Sequence, residues 1–176
     1  TISTRNIAMN MYESLITRDD ANNAILELAE SMAEAPDRMS YTFKLRQGIR
    51  FHNGKEMTSA DVVASFDRYA KVGSQRSTFD NVDRWEAPDA HTFVIRMKRA
   101  QPTFVEALSS FSAPIVIIPA ELKDTPSMQL TKPVGTGPFE LVDVVPGSHV
   151  KVKRYEGYKP NAAYSQRTGF GGYKQA

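Results

Sequence analysis

The chain has 176 residues, of which 41% are hydrophobic and 24% charged, as is ordinary for a globular domain. No apolar run approaches the ~18 residues that cross a bilayer, so we expect a protein that is not membrane-embedded. The absence of cysteine excludes disulfides, thiolate metal sites and a cysteine nucleophile. The net charge of +2 is too small for a dedicated binder of nucleic-acid phosphates. No signal peptide precedes Thr1, so we expect a processed or excised piece of a protein.

Two helices and a strand are predicted in the first third of the chain. The segment 7–16, IAMNMYESLI, is helix-permissive and leads into a polar loop, TRDDANN. The alanines and glutamates of 24–35, AILELAESMAEA, predict a second helix that Pro36 breaks. Alternation of apolar and polar residues in 41–46, YTFKLR, predicts a half-buried strand, which 47–51, QGIRF, continues after a glycine.

The stretch FHNGKEMTSADV, residues 51–62, holds an acid, a base and hydroxyls, yet its polar residues have structural roles. Its Asn-Gly pair favours a turn, and Thr58 is a good helix N-cap. Asp61 is placed to return a hydrogen bond to the cap, as in a capping box, while Met57 and Val62 occupy the positions of a hydrophobic staple. The stretch therefore predicts a turn followed by an amphipathic helix.

The rest of the chain is richer in strands, and the whole predicts a mixture of α and β elements. Residues 82–98 predict a hairpin. The segment 101–111, QPTFVEALSSF, predicts a short helix with a proline near its start, and 113–120, APIVIIPA, predicts a short buried strand. Two alternating strands around Pro-Gly-Ser predict a further hairpin at 139–155. The last residues, 161–176, have no period and predict a loop or linker.

The sequence gives little support to an enzyme. His52, His91 and His149 are far apart and match no metal-ligating spacing, so each is interpreted as structural. No G-x-S-x-G elbow marks a nucleophilic serine, although a hydrolase whose triad assembles in space stays open as an alternative. A second alternative is a basic interaction or nucleic-acid-binding domain, since residues 131–176 hold seven basic and three acidic side chains. We expect no catalytic residue, no metal and no cofactor.

The segment VGTGPF, residues 134–139, contains a G-x-G but is a poor phosphate cradle. It lacks a third glycine, and Pro138 removes one of the backbone N–H donors that such a cradle needs. Two interpretations remain for its glycines. They make a tight turn into the strand that starts at Phe139, or they let a ligand or another segment approach the backbone closely.

Several motifs occur in one order along the chain. They are NMYESLITRD, ILELAESM…DRMSYTFKLR, YTFKLRQGIRFHNGKEMTSADVVASFDR and PVGTGPFELVDVVPGSHVKVKRYEGY. This set covers about residues 7–160 and resembles the extracytoplasmic solute-binding proteins of ABC importers, in their peptide/nickel/opine-binding family (family 5). Glu156 departs from the family pattern, which often has asparagine at or beside that position.

The resemblance implies a protein of two lobes that close on a solute by a hinge. A full member of the family is much longer, so we expect residues 1–160 to be a partial lobe I. Its fold would be periplasmic-binding-protein type II-like and α/β (mixed α+β), with a mixed sheet, hairpins and flanking helices. Residues 161–176 would be a linker toward the second lobe. Since half of the cleft belongs to that lobe, we expect the chain alone to bind solute weakly or not at all.

The resemblance also implies a function and a site. The function is that of the substrate-binding component of an ABC import system, which captures peptides or related small solutes and works with ABC permease subunits. The location would be periplasmic, or extracytoplasmic and lipid-anchored in a Gram-positive source. Nucleic acid is not an expected partner. Carried over to this chain, the residues expected at the ligand are Tyr12, Phe79, Gly135, Thr136 and Gly137.

Overall fold

The computed structural model describes residues 2–19, 21–126, 132–145 and 147–161, so positions 162–176 of the predicted linker lie outside the described residues. These ranges contain both helices and strands, which confirms the predicted mixed α/β class. The helices are α1 (Ile2–Met11), α2 (Ser59–Val72) and α3 (Phe104–Leu108). The strands are β1 (Ile16–Arg18), β2 (Ala24–Leu26), β3 (Ala29–Glu34), β4 (Ser40–Leu45), β5 (Val82–Asp89), β6 (Thr92–Met97), β7 (Phe139–Val145) and β8 (His149–Arg154).

The strands form one four-stranded sheet and two hairpins. The large sheet has the order β3-β4-β6-β5, while β1 pairs with β2 and β7 with β8. Each of these ladders is antiparallel. The predicted hairpins at 82–98 and 139–155 are therefore confirmed, and so is the short helix after Pro102.

Helix α2 packs on the four-stranded sheet through the apolar stripe that the sequence predicts. Its Phe66 ring lies 4.7 Å from Phe93 of β6 and 5.7 Å from Trp85 of β5. Val62 and Phe66 are buried in the same core cluster as Phe43 and Phe93. Burial of such large apolar side chains, each contributing about 1.5–3 kcal/mol, holds the helix on the sheet.

The start of α2 confirms the predicted cap. Thr58 and Asp61 form a capping box, in which the Asp61 carboxylate accepts hydrogen bonds from the Thr58 N–H at 2.9 Å and from its hydroxyl at 3.2 Å. Met57 and Val62, at the staple positions, are both completely buried. The polar residues of this stretch thus have the structural roles predicted for them.

Asp61 also joins the helix to two other segments. Its second carboxylate oxygen accepts hydrogen bonds from the Lys55 ammonium at 2.7 Å and from the Ala120 N–H at 2.8 Å. The side chain is completely buried, so these donors replace all the water that a carboxylate would otherwise bind. One charge therefore holds together the turn before α2, the start of α2 and the segment that ends at Ala120.

The predicted helix at 24–35 is wrong, because these residues form β2 and β3. Strand β3 pairs along its length with β4, and Ala29 at its start is completely buried beside Leu45. Alanine and glutamate favour a helix only weakly, by tenths of a kcal/mol per residue. Backbone pairing with a neighbouring strand outweighs such a preference.

The first helix is also placed differently from the prediction, since it ends at Met11 and not at Ile16. The carbonyl groups that would continue it are bonded to distant segments. Met11 accepts from the Gly137 N–H at 3.0 Å, and Glu13 accepts from the Ile117 N–H at 2.9 Å. Residues 12–14 therefore lie outside the helix, and β1 begins two residues later, at Ile16.

Two predicted strands are shorter than expected. Gly48 adopts φ +67°, so the chain turns after β4, and residues 47–51 do not continue the strand. In 113–120, Ile115 and Ile117 are buried as predicted, but pairing is limited to a single bridge between Ser14 and Val116. The apolar pattern of these segments predicts that they are buried, but it does not predict which strands they pair with.

Replacing Asp61 by asparagine tests whether its charge joins the three segments. The carboxylate faces four donors, so the amide NH2 of Asp61→Asn would face a donor wherever it points. We expect a loss of about 3 kcal/mol in the free energy of unfolding, measured by urea denaturation at pH 7. The control is Asp124→Asn, which removes an exposed pair with Lys71 and should cost about 0.5 kcal/mol or less. Equal effects of the two substitutions would contradict the assignment.

Candidate functional site

Four predicted site residues lie together where the segment after α1 meets the loop before β7. We call this group of residues the Tyr12 wall (Tyr12, Gly135, Thr136 and Gly137); the loop residues are buried and Tyr12 is half-buried. A Cβ atom added to Gly135 would lie 2.0 Å from the Met11 carbonyl oxygen, and one added to Gly137 would lie 2.7 Å from the Met11 carbonyl carbon. The glycines therefore let another segment of the chain approach closely, which is one of the two roles that the sequence left open.

Tyr12 is half-buried and its ring lies beside Gly135, 2.7 Å from the position of an added Cβ atom. Burial raises the pKa of the Tyr12 phenol to about 12, although a hydrogen bond with the Val134 backbone and the charge of Arg68 act in the opposite direction. The phenol is therefore neutral at physiological pH and keeps its proton. It presents a hydrogen-bonding group at the edge of an apolar ring.

Thr136 has a buried hydroxyl that lacks a partner. The residue is 2% exposed, and its Oγ1 makes no hydrogen bond within the described part of the chain. An unsatisfied buried hydroxyl costs about 1–3 kcal/mol, and such groups are few in folded proteins. The Thr136 hydroxyl is thus a buried polar group of the wall that is not satisfied by the described residues.

His52 holds the glycine loop from the other side. Its Nδ1 accepts a hydrogen bond from the Gly135 N–H at 3.3 Å, and its Nε2 lies 2.9 Å from the Gly137 carbonyl oxygen. The His52 N–H also donates to the Gly135 carbonyl at 2.9 Å. The Tyr155 ring stands edge-on to the imidazole at 5.0 Å. His52 therefore binds the backbone on both sides of Thr136, which is a structural role as the sequence predicts.

Two buried carboxylates in or bonded to the segment after α1 were not predicted from the sequence. Glu27 is 3% exposed and accepts hydrogen bonds from the Ser14 N–H at 2.8 Å and the Ser14 hydroxyl at 3.1 Å. Glu13 is 1% exposed and accepts a hydrogen bond from the Tyr158 hydroxyl at 3.3 Å. The signal in the sequence is a single acid within a short apolar stretch, MYESLI or ILEL. Through these bonds Ser14 is tied to Glu27 and Glu13 to Tyr158, so the segment after α1 is attached to two other parts of the chain.

Phe79, the fifth predicted site residue, packs with a different set of residues. It is 7% exposed, and its ring lies 5.1 Å from Trp85, 5.5 Å from Phe66 and 5.8 Å from Tyr69. It also lines an open groove of about 840 Å³ between the end of α2 and the start of β5. Phe79 is thus part of an aromatic cluster next to that groove.

A serine and a histidine do make contact, at the tip of the β7–β8 hairpin. The Ser148 hydroxyl lies 3.1 Å from the His149 Nδ1, and the His149 Nε2 lies 3.7 Å from an Asp143 carboxylate oxygen. The chain of contacts from serine through histidine to aspartate resembles a catalytic triad. The His149 and Asp143 side chains, however, are 54% and 57% exposed. Nucleophilic catalysis depends on fixed donors in a site that excludes water, which an exposed hairpin tip does not offer.

The described residues contain neither a metal-binding cluster nor a membrane-spanning helix. Among 2–19, 21–126, 132–145 and 147–161, no three histidine or acidic side chains are grouped so that they could hold a metal ion. No helix in these ranges has the length and apolar character needed to cross a bilayer.

Comparison with known proteins identifies the family. A family model described as "Bacterial extracellular solute-binding proteins, family 5 Middle" matches residues 23–172. The chain belongs to this family. The resemblance predicted from the sequence motifs is therefore confirmed.

Individual relatives match the chain over a limited part of their own length. The glutathione-binding protein GsiB of Escherichia coli O1:K1 is 33% identical over 155 residues, which cover 86% of this chain and 30% of that protein. The structure of the binding protein AgaA from A. tumefaciens R10, in complex with agropinic acid, matches with a TM-score of 0.81 and 30% identity, over 90% of this chain and 32% of AgaA. The oligopeptide-binding protein AppA of Bacillus subtilis, in complex with a nonapeptide, matches with a TM-score of 0.78 and 26% identity, over 89% and 32% of the two chains. The expected binding-protein fold is thus confirmed, and the chain spans about a third of these relatives.

An alanine at position 135 tests the close approach in the wall. The new Cβ atom of Gly135→Ala would collide with the backbone of Met11, which has little freedom to move, so we expect a loss of about 3 kcal/mol in unfolding free energy. The near-ultraviolet circular dichroism of Tyr12 should change as well, because its ring lies beside the new atom.

Gly54→Ala is the matched control for this substitution. Gly54 has φ +85° but no atom within 4 Å of an added Cβ, so only backbone strain of about 1 kcal/mol is expected. A Gly135→Ala protein as stable as Gly54→Ala would show that the two segments do not pack as described.

Proposed function

We propose that the chain is part of the substrate-binding component of an ABC import system, which captures peptides or related small solutes outside the cytoplasmic membrane. The observation that carries this proposal is the family match over residues 23–172. The component would be periplasmic or otherwise extracytoplasmic and would deliver its solute to ABC permease subunits. Reversible capture requires burial of the solute between surfaces with a few placed polar groups, and no catalytic residue.

The proposed class of solute rests on the solutes printed in the names of the relatives. GsiB is named for glutathione, AgaA was crystallised with agropinic acid, and AppA with a nonapeptide. Peptides and small organic acids share carboxylates and other hydrogen-bonding groups. We therefore propose a peptide or a peptide-like acid as the solute of this chain.

The Tyr12 wall supports this proposal by its chemistry. The neutral Tyr12 phenol provides a donor beside an apolar ring, and the Thr136 hydroxyl has no partner among the described residues. Gly135 and Gly137 leave the backbone without side chains at the same place. A solute that brings a carboxylate or an amide to the exposed part of Tyr12 would hydrogen-bond the phenol and cover the ring.

Phe79 stays in the proposal as a contact separate from the wall. With 7% of its surface exposed, it would touch a solute only through part of its ring. The groove next to it also contains Arg76 and Lys98, which would suit a solute that carries a carboxylate beside an apolar group. Locating the bound solute would show whether it contacts Phe79 or the Tyr12 wall.

The contact of Ser148 with His149 favours a second candidate function, that of a hydrolase. The exposed position of this contact argues against it, because the His149 and Asp143 side chains are 54% and 57% exposed. Turnover of generic ester or peptide substrates that is lost in Ser148→Ala would establish the hydrolase and overturn the proposal of a non-catalytic binding protein.

A nucleic-acid-binding role is disfavoured by the way charges pair on β8. Lys153 makes an ion pair with Glu140 at 2.9 Å, and His149 lies close to Asp143. These acids reduce the positive field that would attract phosphates. A salt-dependent shift of nucleic acid in a gel would contradict this interpretation.

Calorimetric titration with glutathione and mixed dipeptides tests the proposed function. We expect weak binding, with a dissociation constant of about 1 mM or weaker, because one wall provides only part of the burial that a closed cleft gives. Tyr12→Phe removes the phenol hydroxyl while keeping the ring, so affinity should fall about fivefold, which corresponds to one hydrogen bond of about 1 kcal/mol.

The control for this experiment is Phe111→Ala. Phe111 is an exposed aromatic residue outside the wall, and its loss should leave affinity unchanged within about twofold. Micromolar or tighter binding by the chain would contradict the expectation that the rest of a cleft is needed. Unchanged affinity in Tyr12→Phe would remove Tyr12 from the site.

A further inference from the structure

The hydrogen bonds of His52 determine its protonation state. The Gly137 carbonyl oxygen can only accept a hydrogen bond, so the Nε2 atom at 2.9 Å must carry a proton. The Gly135 N–H can only donate, so the Nδ1 atom at 3.3 Å must keep its lone pair. Only the neutral imidazole with its proton on Nε2 satisfies both groups.

Protonation of His52 is incompatible with this arrangement. The second proton would be placed on Nδ1, where it would face the proton of the Gly135 N–H. The His52–Gly135 contact would change from a hydrogen bond to a repulsion between two donors. Because Gly137 also donates to the Met11 carbonyl at 3.0 Å, displacement of the loop would loosen its contact with the segment that carries Tyr12.

The groups around His52 shift its pKa in both directions. Burial lowers the pKa of His52 below its ordinary value of about 6.5, and this is the largest effect. The Gly137 carbonyl, Glu140 on β7 and Glu13 after α1 raise it. Glu140 is itself paired with Lys153 at 2.9 Å, which weakens its influence.

The other ring at this place stays neutral. Burial raises the pKa of the Tyr155 phenol, partly offset by Arg50. The Tyr155 hydroxyl donates to the Phe51 carbonyl at 2.8 Å, so it is held by the backbone next to His52. His52 is therefore the group in this contact that gains a charge in acid, since its pKa lies below the ordinary value of about 6.5.

We propose that neutral His52 is the positioning residue of the Tyr12 wall, and that its protonation releases the Gly135–Gly137 loop and weakens solute capture in acid. The first half of the proposal concerns the loop and needs no solute. The second half rests on the proposed function. Two measurements therefore separate the failure of one from the failure of the other.

The direction of the pH effect follows from the lowered pKa. A histidine whose pKa is lower in the folded than in the unfolded state makes the unfolded state bind more protons in acid. Its contribution to stability is complete above about pH 6.5 and is lost as the pH falls from there through the folded-state pKa. Loop order should decline over the same range.

Amide hydrogen exchange, measured by NMR between pH 7.5 and pH 5, tests the loop. After correction for the intrinsic exchange rate, protection of the Gly135 and Gly137 amides in the wild-type chain should fall at least threefold toward pH 5. His52→Gln is the matched variant, because its amide offers an acceptor and a donor at a similar spacing but does not titrate. It should keep protection at both pH values. His52→Ala should lose protection at both.

Titration with glutathione at the same pH values tests whether protonation of His52 weakens solute capture. The dissociation constant of the wild-type chain should rise at least threefold at pH 5, while that of His52→Gln should change less than twofold. If His52→Gln shows the same decline in amide protection as the wild-type chain, the positioning role of His52 is overturned. If protection behaves as expected but glutathione affinity does not depend on pH, the link to capture is overturned. If glutathione does not bind at any pH, the proposed function fails for this solute and so does the link to capture, while the exchange data still decide the role of His52.

Discussion

The close approach of the Gly135–Gly137 loop to Met11 is the constraint on which the candidate site depends. A side chain at position 135 would occupy the space of the Met11 carbonyl oxygen. The two segments are far apart in sequence, so their contact has to be held by other parts of the fold. His52 binds the loop on one side, and the buried carboxylates of Glu13 and Glu27 hold the segment after α1 on the other. The wall is thus a product of packing and hydrogen bonding between distant segments.

Local signals in the sequence predicted the parts of the fold that local interactions determine. The capping box of Thr58 and Asp61 was predicted because both partners lie within one helical turn. The helix predicted at 24–35 failed because the partner strand, β4, lies outside the window that propensity can assess. The first helix was extended too far for the same reason, since the groups that end it belong to residues 117 and 137.

The candidate site was predictable to a smaller extent than the fold. Tyr12 and the glycines were expected from a family resemblance, and the structure brings them together. The contacts of His52 with Gly135 and of Asp61 with Ala120 could not be predicted from the sequence. A residue type shows which of its groups can donate or accept a hydrogen bond, but not which distant group it will meet. Phe79 has the same limitation, since an aromatic residue in a loop predicts burial as readily as ligand contact.

The central proposal is that the Tyr12 wall takes part in the reversible capture of a solute. Its most direct test is an NMR titration of the isotopically labelled chain with glutathione, which detects weak binding and locates it at single residues. The account predicts that chemical shift changes concentrate at Tyr12, Gly135, Thr136 and Gly137. Changes confined to the groove around Phe79 and Trp85, or to the hairpin tip, would contradict it.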